Sequence, residues 1–163
     1  ETVAAFEGLV SAGKIRYWGV SNFDASHMAE MLAVAGEGRI ACNQVLYHLN
    51  ERAIEHSVIP WCEHHGVAVV AYSPFGHNDF PEPTSAGGKV LQEIAARHNS
   101  TPRQVALGFL NRHPSLFAIP KTSRAIHAAD NAAAGDIALT ESEVAALDKV
   151  FPLGREPRSL PMI

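Results

Sequence analysis

Gly66-Val67-Ala68-Val69-Val70-Ala71-Tyr72 is an unbroken apolar run of strand length, opened by a glycine and closed by Ser73-Pro74. A half-solvated strand alternates apolar and polar residues, whereas a strand apolar throughout belongs to a parallel sheet covered by the helices that return the chain. The flanking sequence agrees. Upstream, a short helix from about Val58 to His65 carries Pro60 in its first turn, where a missing N–H costs little. Before it lies a strand from Ala41 to Tyr47, preceded by a helix that Asn22 or Asp24 can cap, running to about Ala35 and ended by Gly36 and Gly38. Earlier still come a strand from Tyr17 to Ser21 and a helix from Glu1 to about Ala12 that Gly13 caps. Downstream, the Pro- and Gly-rich stretch Pro74 to Gly88 reads as a long functional loop. Helices follow from about Lys89 to His98 and from Pro102 to Asn111, the second capped by Thr101. Leu116 to Ile119 forms a fourth strand, Ser123 caps a helix to about Ala134, and Thr140 with Glu143 forms a capping box for a helix to about Val150.

Four strands alternating with helices predict an α/β fold of four parallel βα units, in one domain over residues 1–163. A (β/α)8 TIM barrel takes about 250 residues and eight strands, so these 163 residues hold the material for a half barrel. Four unclosed parallel strands leave two bare hydrogen-bonding edges. The expected remedy is a homodimer or higher oligomer, or a missing N-terminal half. Glu1, without a preceding Met and already inside a helical stretch, leans toward a longer parent chain.

Composition narrows the partners. The chain is 47% hydrophobic with a net charge of -4, and it has no basic block able to neutralise a run of phosphates, which argues against nucleic acid. Its apolar runs fall far short of the roughly 18 residues of a membrane span. Cys42 and Cys62 show neither zinc nor redox spacing, and with no secretion signal the expected setting is reducing and cytoplasmic.

The candidate site residues cluster at strand ends, where barrels of this kind gather their reactive groups. Ser21, Asn22 and Gln44 are short hydrogen-bonding side chains suited to a carboxamide, and Lys121, Thr122 and Ser123 precede a helix N-terminus, a setting that favours phosphate. Gly13-Lys14-Ile15-Arg16 followed by Gly19-Val20-Ser21-Asn22-Phe23 resembles the fifth strand region of aldo-keto reductases. Cys42-Asn43-Gln44-Val45 with Tyr47-His48 resembles the sixth strand, and Ala71-Tyr72-Ser73-Pro74-Phe75-Gly76 the seventh. Ile119-Pro120-Lys121-Thr122-Ser123, leading to Asn131, resembles the eighth. The resemblance implies that Ser21, Asn22 and Gln44 hold a nicotinamide amide, that Tyr72 stacks on its ring, and that Ser73, Pro74 and Phe75 line the pyrophosphate of NADP(H). It implies further that Lys121, Thr122 and Ser123 hold the 2'-phosphate and adenine, with Asn131 on the adenine. Where many relatives carry a phosphate-binding arginine this chain has His127, for which Arg124 is the nearby substitute. The tail from Arg155 to Ile163 matches the family's substrate-lining C-terminal loop.

Family catalysis draws an Asp, a proton-donating Tyr, a Lys and a His from the first four strands, none of which this sequence supplies. The expectation is an oxidoreductase-like chain that keeps the NADP(H) side, is not a competent reductase alone, and has no identified catalytic residue. Nine histidines admit an alternative. His48, His77 and Asp79 could hold a divalent metal at the strand mouth or a dimer interface, making a hydrolase of esters, phosphotriesters or lactones. His27, His56, His64, His65 and His98 lie in or beside helices and are expected to face solvent.

Overall fold

The computed structural model describes residues 1–163, built as α1 (Thr2–Ser11), β1 (Trp18–Ser21), α2 (Ala25–Ala35), β2 (Ile40–Leu46), α3 (Val58–His64), β3 (Ala68–Tyr72), α4 (Ala86–Arg97), α5 (Pro102–Leu110), β4 (Leu116–Ala118), α6 (Ala125–Ala133) and α7 (Glu141–Val150). A short 3-10 turn at Ala53–Glu55, which the sequence did not announce, follows β2, and another at Ala134–Asp136 follows α6. The strands form one parallel sheet in the order β1-β2-β3-β4. Ser21 pairs with Gln44, Leu46 with Tyr72 and Ala71 with Ala118, which brings the C-terminal ends of all four strands to the same side. The register between β1 and β2 slips at Gly19, where a Cβ would stand 2.6 Å from both the Cys42 carbonyl oxygen and its Sγ.

One face of the sheet carries the core. Val45, Val69 and Ala71 are buried in a single cluster with Ile59 and Cys62 of α3, Leu91 and Ile94 of α4, and Val105 and Phe109 of α5. The other face is more open: Cys42, Gln44, Ala68 and Val70 are half-buried, and Phe117 on β4 is 56% exposed. The returning helices therefore cover one face of the sheet. In a barrel the helices wrap only the outside, and the inner face is filled by side chains from other strands. No helix is long and apolar enough to cross a membrane.

The caps settle what the sequence left open. Asp24, not Asn22, caps α2, its carboxylate accepting from the His27 N–H at 2.9 Å, and that bond lowers its pKa. Thr101 and Thr140 both form full capping boxes, with Gln104 and Glu143 respectively. Two readings are corrected. Helix α4 begins at Ala86, so Gly87 and Gly88 lie within it, capped by Ser85 rather than belonging to the loop. Helix α6 is entered through Arg124 and not capped by Ser123, because the Thr122 hydroxyl accepts from the Arg124 N–H at 3.1 Å and tightens the turn just before it.

Candidate nucleotide-binding site

At the strand ends, Ser21 donates from Oγ to the Gln44 carbonyl at 2.9 Å, and the Asn22 N–H donates to the same oxygen at 2.8 Å. Asn22 then turns through the left-handed region (φ 59°), a conformation asparagine tolerates better than most residues. Its Oδ1 accepts the Tyr72 hydroxyl at 3.1 Å. Residues fifty positions apart thus meet across the end of β2, with half-buried Gln44 between their strands. Neighbouring Asn43 is fully buried and structural: it donates to the Phe23 carbonyl at 2.7 Å and accepts from the Phe23 N–H at 3.4 Å, pinning the loop between β1 and α2.

After β3 the chain turns sharply. Ser73 sits at φ 51°, its carbonyl accepts from the Gly76 N–H at 2.8 Å, and Pro74 is buried beneath. The turn throws Phe75 outward into a cavity of about 390 Å³. Lys121, Thr122, His127 and Asn131 stand in its wall, four of the residues singled out in the sequence. Ser123 and Arg124 lie beside it, exposed and outside the wall. The cavity also has residues that sequence reading missed: Thr101, Arg103 and Gln104 from the start of α5, and Asp130 of α6. The Gln104 side chain donates to the Asp130 carbonyl at 2.9 Å, which ties α5 to α6 across the cavity. The signal for them was available in the Thr101–Gln104 capping box, since a helix start belongs at the strand C-terminal end of a βα unit. Two cations, an imidazole, two carboxamides, two hydroxyls and one aromatic face make a surface suited to a phosphorylated purine nucleoside.

The structure does not gather the residues of the metal reading into one cluster. No three His, Cys, Asp or Glu side chains are placed to share an ion. Asp79 spends Oδ1 on the His77 backbone N–H at 2.7 Å, its Oδ2 stands 3.9 Å from Nδ1 of His48, and His77 is exposed. Burial lowers the His48 pKa, opposed by Asp79 and Glu51. Nor are all the helix histidines idle on the surface: His98 Nε2 pairs with the buried Glu143 at 3.0 Å, and Nε2 of His56 is buried without a partner.

Residues 1–151 match the family model described as "Aldo/keto reductase family". The chain belongs to that family. Among aldo/keto reductase relatives, methylglyoxal reductase YeaE of Escherichia coli is 40% identical across 100% of this chain and 57% of its own length. Glyoxal reductase of Bacillus subtilis is 31% identical over 97% of the chain and 53% of its own length. An aldo-keto reductase from Klebsiella pneumoniae, solved in complex with NADPH, is 41% identical with a TM-score of 0.88, matching 100% of this chain and 57% of its own. The chain therefore spans about half the length of the aldo/keto reductases it matches, as a half barrel of four βα units does.

Proposed function

We propose that this chain binds NADP(H) as the nucleotide-holding half of an aldo/keto reductase barrel. The observation that supports it best is the cavity of about 390 Å³ in which Lys121, Thr122, His127 and Asn131 face Phe75 across the α5–α6 junction. Arg103 and Lys121 oppose the single carboxylate of Asp130 there, a balance that favours an anion. The donor set fits the adenosine end of the cofactor, and Ser21, Asn22, Gln44 and Tyr72 fit a carboxamide and a ring to stack against. When bound, the cofactor supplies hydride to a carbonyl substrate. The names of the methylglyoxal and glyoxal reductases support a small dicarbonyl as that substrate.

Turnover also needs a positioned proton donor. The groups gathered at the strand ends hold and orient, and the Asp, Tyr, Lys and His expected to move the proton are not among them. We accordingly assign this chain binding, with reduction requiring further βα units that pair with the edges of β1 and β4, from a second copy or from an N-terminal half. The unpaired thiols of Cys42 and Cys62 support a reducing, cytoplasmic setting.

Fluorescence titration with NADPH and NADH tests the reading. The expected result is saturable NADPH binding, tighter than NADH and weakened by Lys121→Ala. Failure of both nucleotides to bind would overturn it.

A further inference from the structure

We infer that Arg103 is a specificity residue for the 2'-phosphate of the nucleotide, supplying the guanidinium that position 127 lacks. The inference rests on the nucleotide reading above and adds to it a residue from a different helix. Three observations carry it. First, the Arg103 guanidinium carbon lies 4.8 Å from the ring centroid of Phe75 and 4.6 Å from that of Phe80, while the two rings meet edge to face at 5.9 Å. The side chain is thus steadied by aromatic contacts rather than by an ion pair. Second, no carboxylate comes within 4.0 Å of it, unlike Arg39, Arg52, Arg97 and Arg112, each of which is paired. Its charge and its five N–H donors stay available for a ligand. Third, Arg103 forms part of the wall between two cavities of very different character. The cavity of about 390 Å³ also holds Lys121, Thr122 and His127, with Asp130 as its one carboxylate. The neighbouring one, of about 550 Å³ under the loop after β3, has no other cation and contains Glu82.

An anion is therefore favoured on the Lys121 side. There His127 offers at most two ring N–H donors where a guanidinium would offer five in a planar fork matched to phosphate. Arg103 reaches the same space from α5, held in advance by the rings of Phe75 and Phe80, so that little side-chain freedom is lost on binding. It would act as one jaw of a pair, with Lys121 as the other.

The test uses adenosine 2',5'-bisphosphate and 5'-AMP, which differ only in the 2'-phosphate, titrated calorimetrically into the 163-residue chain and its Arg103→Gln and Arg103→Lys variants. Arg103→Gln is expected to weaken the bisphosphate about tenfold and 5'-AMP less than about twofold, as for loss of one charge-assisted contact. Arg103→Lys, which keeps charge without the fork, should fall between. Equal weakening of both ligands would place Arg103 on the adenine or 5'-phosphate and overturn the inference, as would an unchanged affinity for the bisphosphate. If the unmodified chain binds neither ligand, the nucleotide reading itself fails.

Discussion

Replacing Glu55 by glutamine removes one negative charge from a side chain that accepts four hydrogen bonds. Its Oε1 accepts from the Tyr47 hydroxyl at 2.6 Å and from Arg52 Nε at 2.7 Å, and its Oε2 accepts from Arg52 at 2.7 Å and from Arg112 at 2.8 Å. The Glu55 side chain is only 10% exposed. Burial alone would raise its pKa, but the hydrogen bonds from Arg52 and Tyr47 and the charges of Arg112 and Arg52 overcome it and bring the value from 4.5 to about 2. At 1.36 kcal/mol per pKa unit, a fall of this size corresponds to about 3 kcal/mol of stability, comparable with the cost of breaking a buried ion pair. The sign follows from linkage. A carboxylate with a depressed folded-state pKa stabilises fully above its unfolded value, and the contribution fades as pH falls toward the folded one. Urea unfolding at several pH values should therefore show Glu55→Gln less stable by about 3 kcal/mol at pH 7 and nearly as much at pH 5.5. The gap should drop below half by about pH 3. Other carboxylates, Glu143 included, titrate in both proteins and cancel in the difference. A gap that stays constant from pH 7 to pH 3, or one under about 1 kcal/mol at neutral pH, would refute this account of the network.

Gly88→Ala should be destabilising by about 1 to 3 kcal/mol in thermal or urea unfolding, because its Cβ would run into the backbone carbonyl of Glu82, which cannot swing aside. Gly87→Ala meets the Phe151 ring instead, a side chain that can shift, and should cost less. Thiol titration of the native protein should leave Cys62 unreacted, since it is fully buried and burial pushes its pKa up to about 12. Cys42 should react slowly, and two fast-reacting native thiols would contradict both burial assignments.

Elements announced by local chemistry were legible in the sequence. The run from Val67 to Tyr72, Thr140 with Glu143, and Pro102 behind Thr101 each carry their reason within a few residues, and each reappears within a residue or so of its expected place. Gly87 and Gly88 misled because glycine weakens a helix by about 1 kcal/mol relative to alanine. Here close packing decides instead, with Phe151 on one side and the Glu82–Pro83 backbone on the other. The same division runs through the site. Lys121, Thr122, His127 and Asn131 share one cavity wall and one short stretch of sequence. Arg103 comes from the preceding helix, and its place depends on rings at Phe75 and Phe80 more than twenty residues earlier. No local pattern carries that contact. Glu55 was illegible for a similar reason: its partner Arg112 lies fifty-seven residues away, and only Arg52 hints at it by spacing.

The two ends of the proposed cofactor site differ in how they are supported. The adenosine end is walled by α5, α6 and the turns after β3 and β4, with Gln104 bonded across to Asp130, so both helices bordering the cavity come from this chain. The nicotinamide end is held by strand termini, and its outermost member, Ser21, is exposed on β1, an edge strand with no neighbour on its far side. The Tyr72–Asn22 and Ser21–Gln44 hydrogen bonds and the Asn22 N–H bond to the Gln44 carbonyl keep it in order. A partially exposed hydrogen bond contributes about 1 kcal/mol or less, too little to fix the orientation of a ring and an amide against solvent. Whatever pairs with β1 would therefore do two things at once: it would saturate the strand edge and enclose the carboxamide set. On the proposed reading, capture of the adenosine end is a property that four βα units can carry by themselves, whereas placement of the reactive end requires the barrel to close.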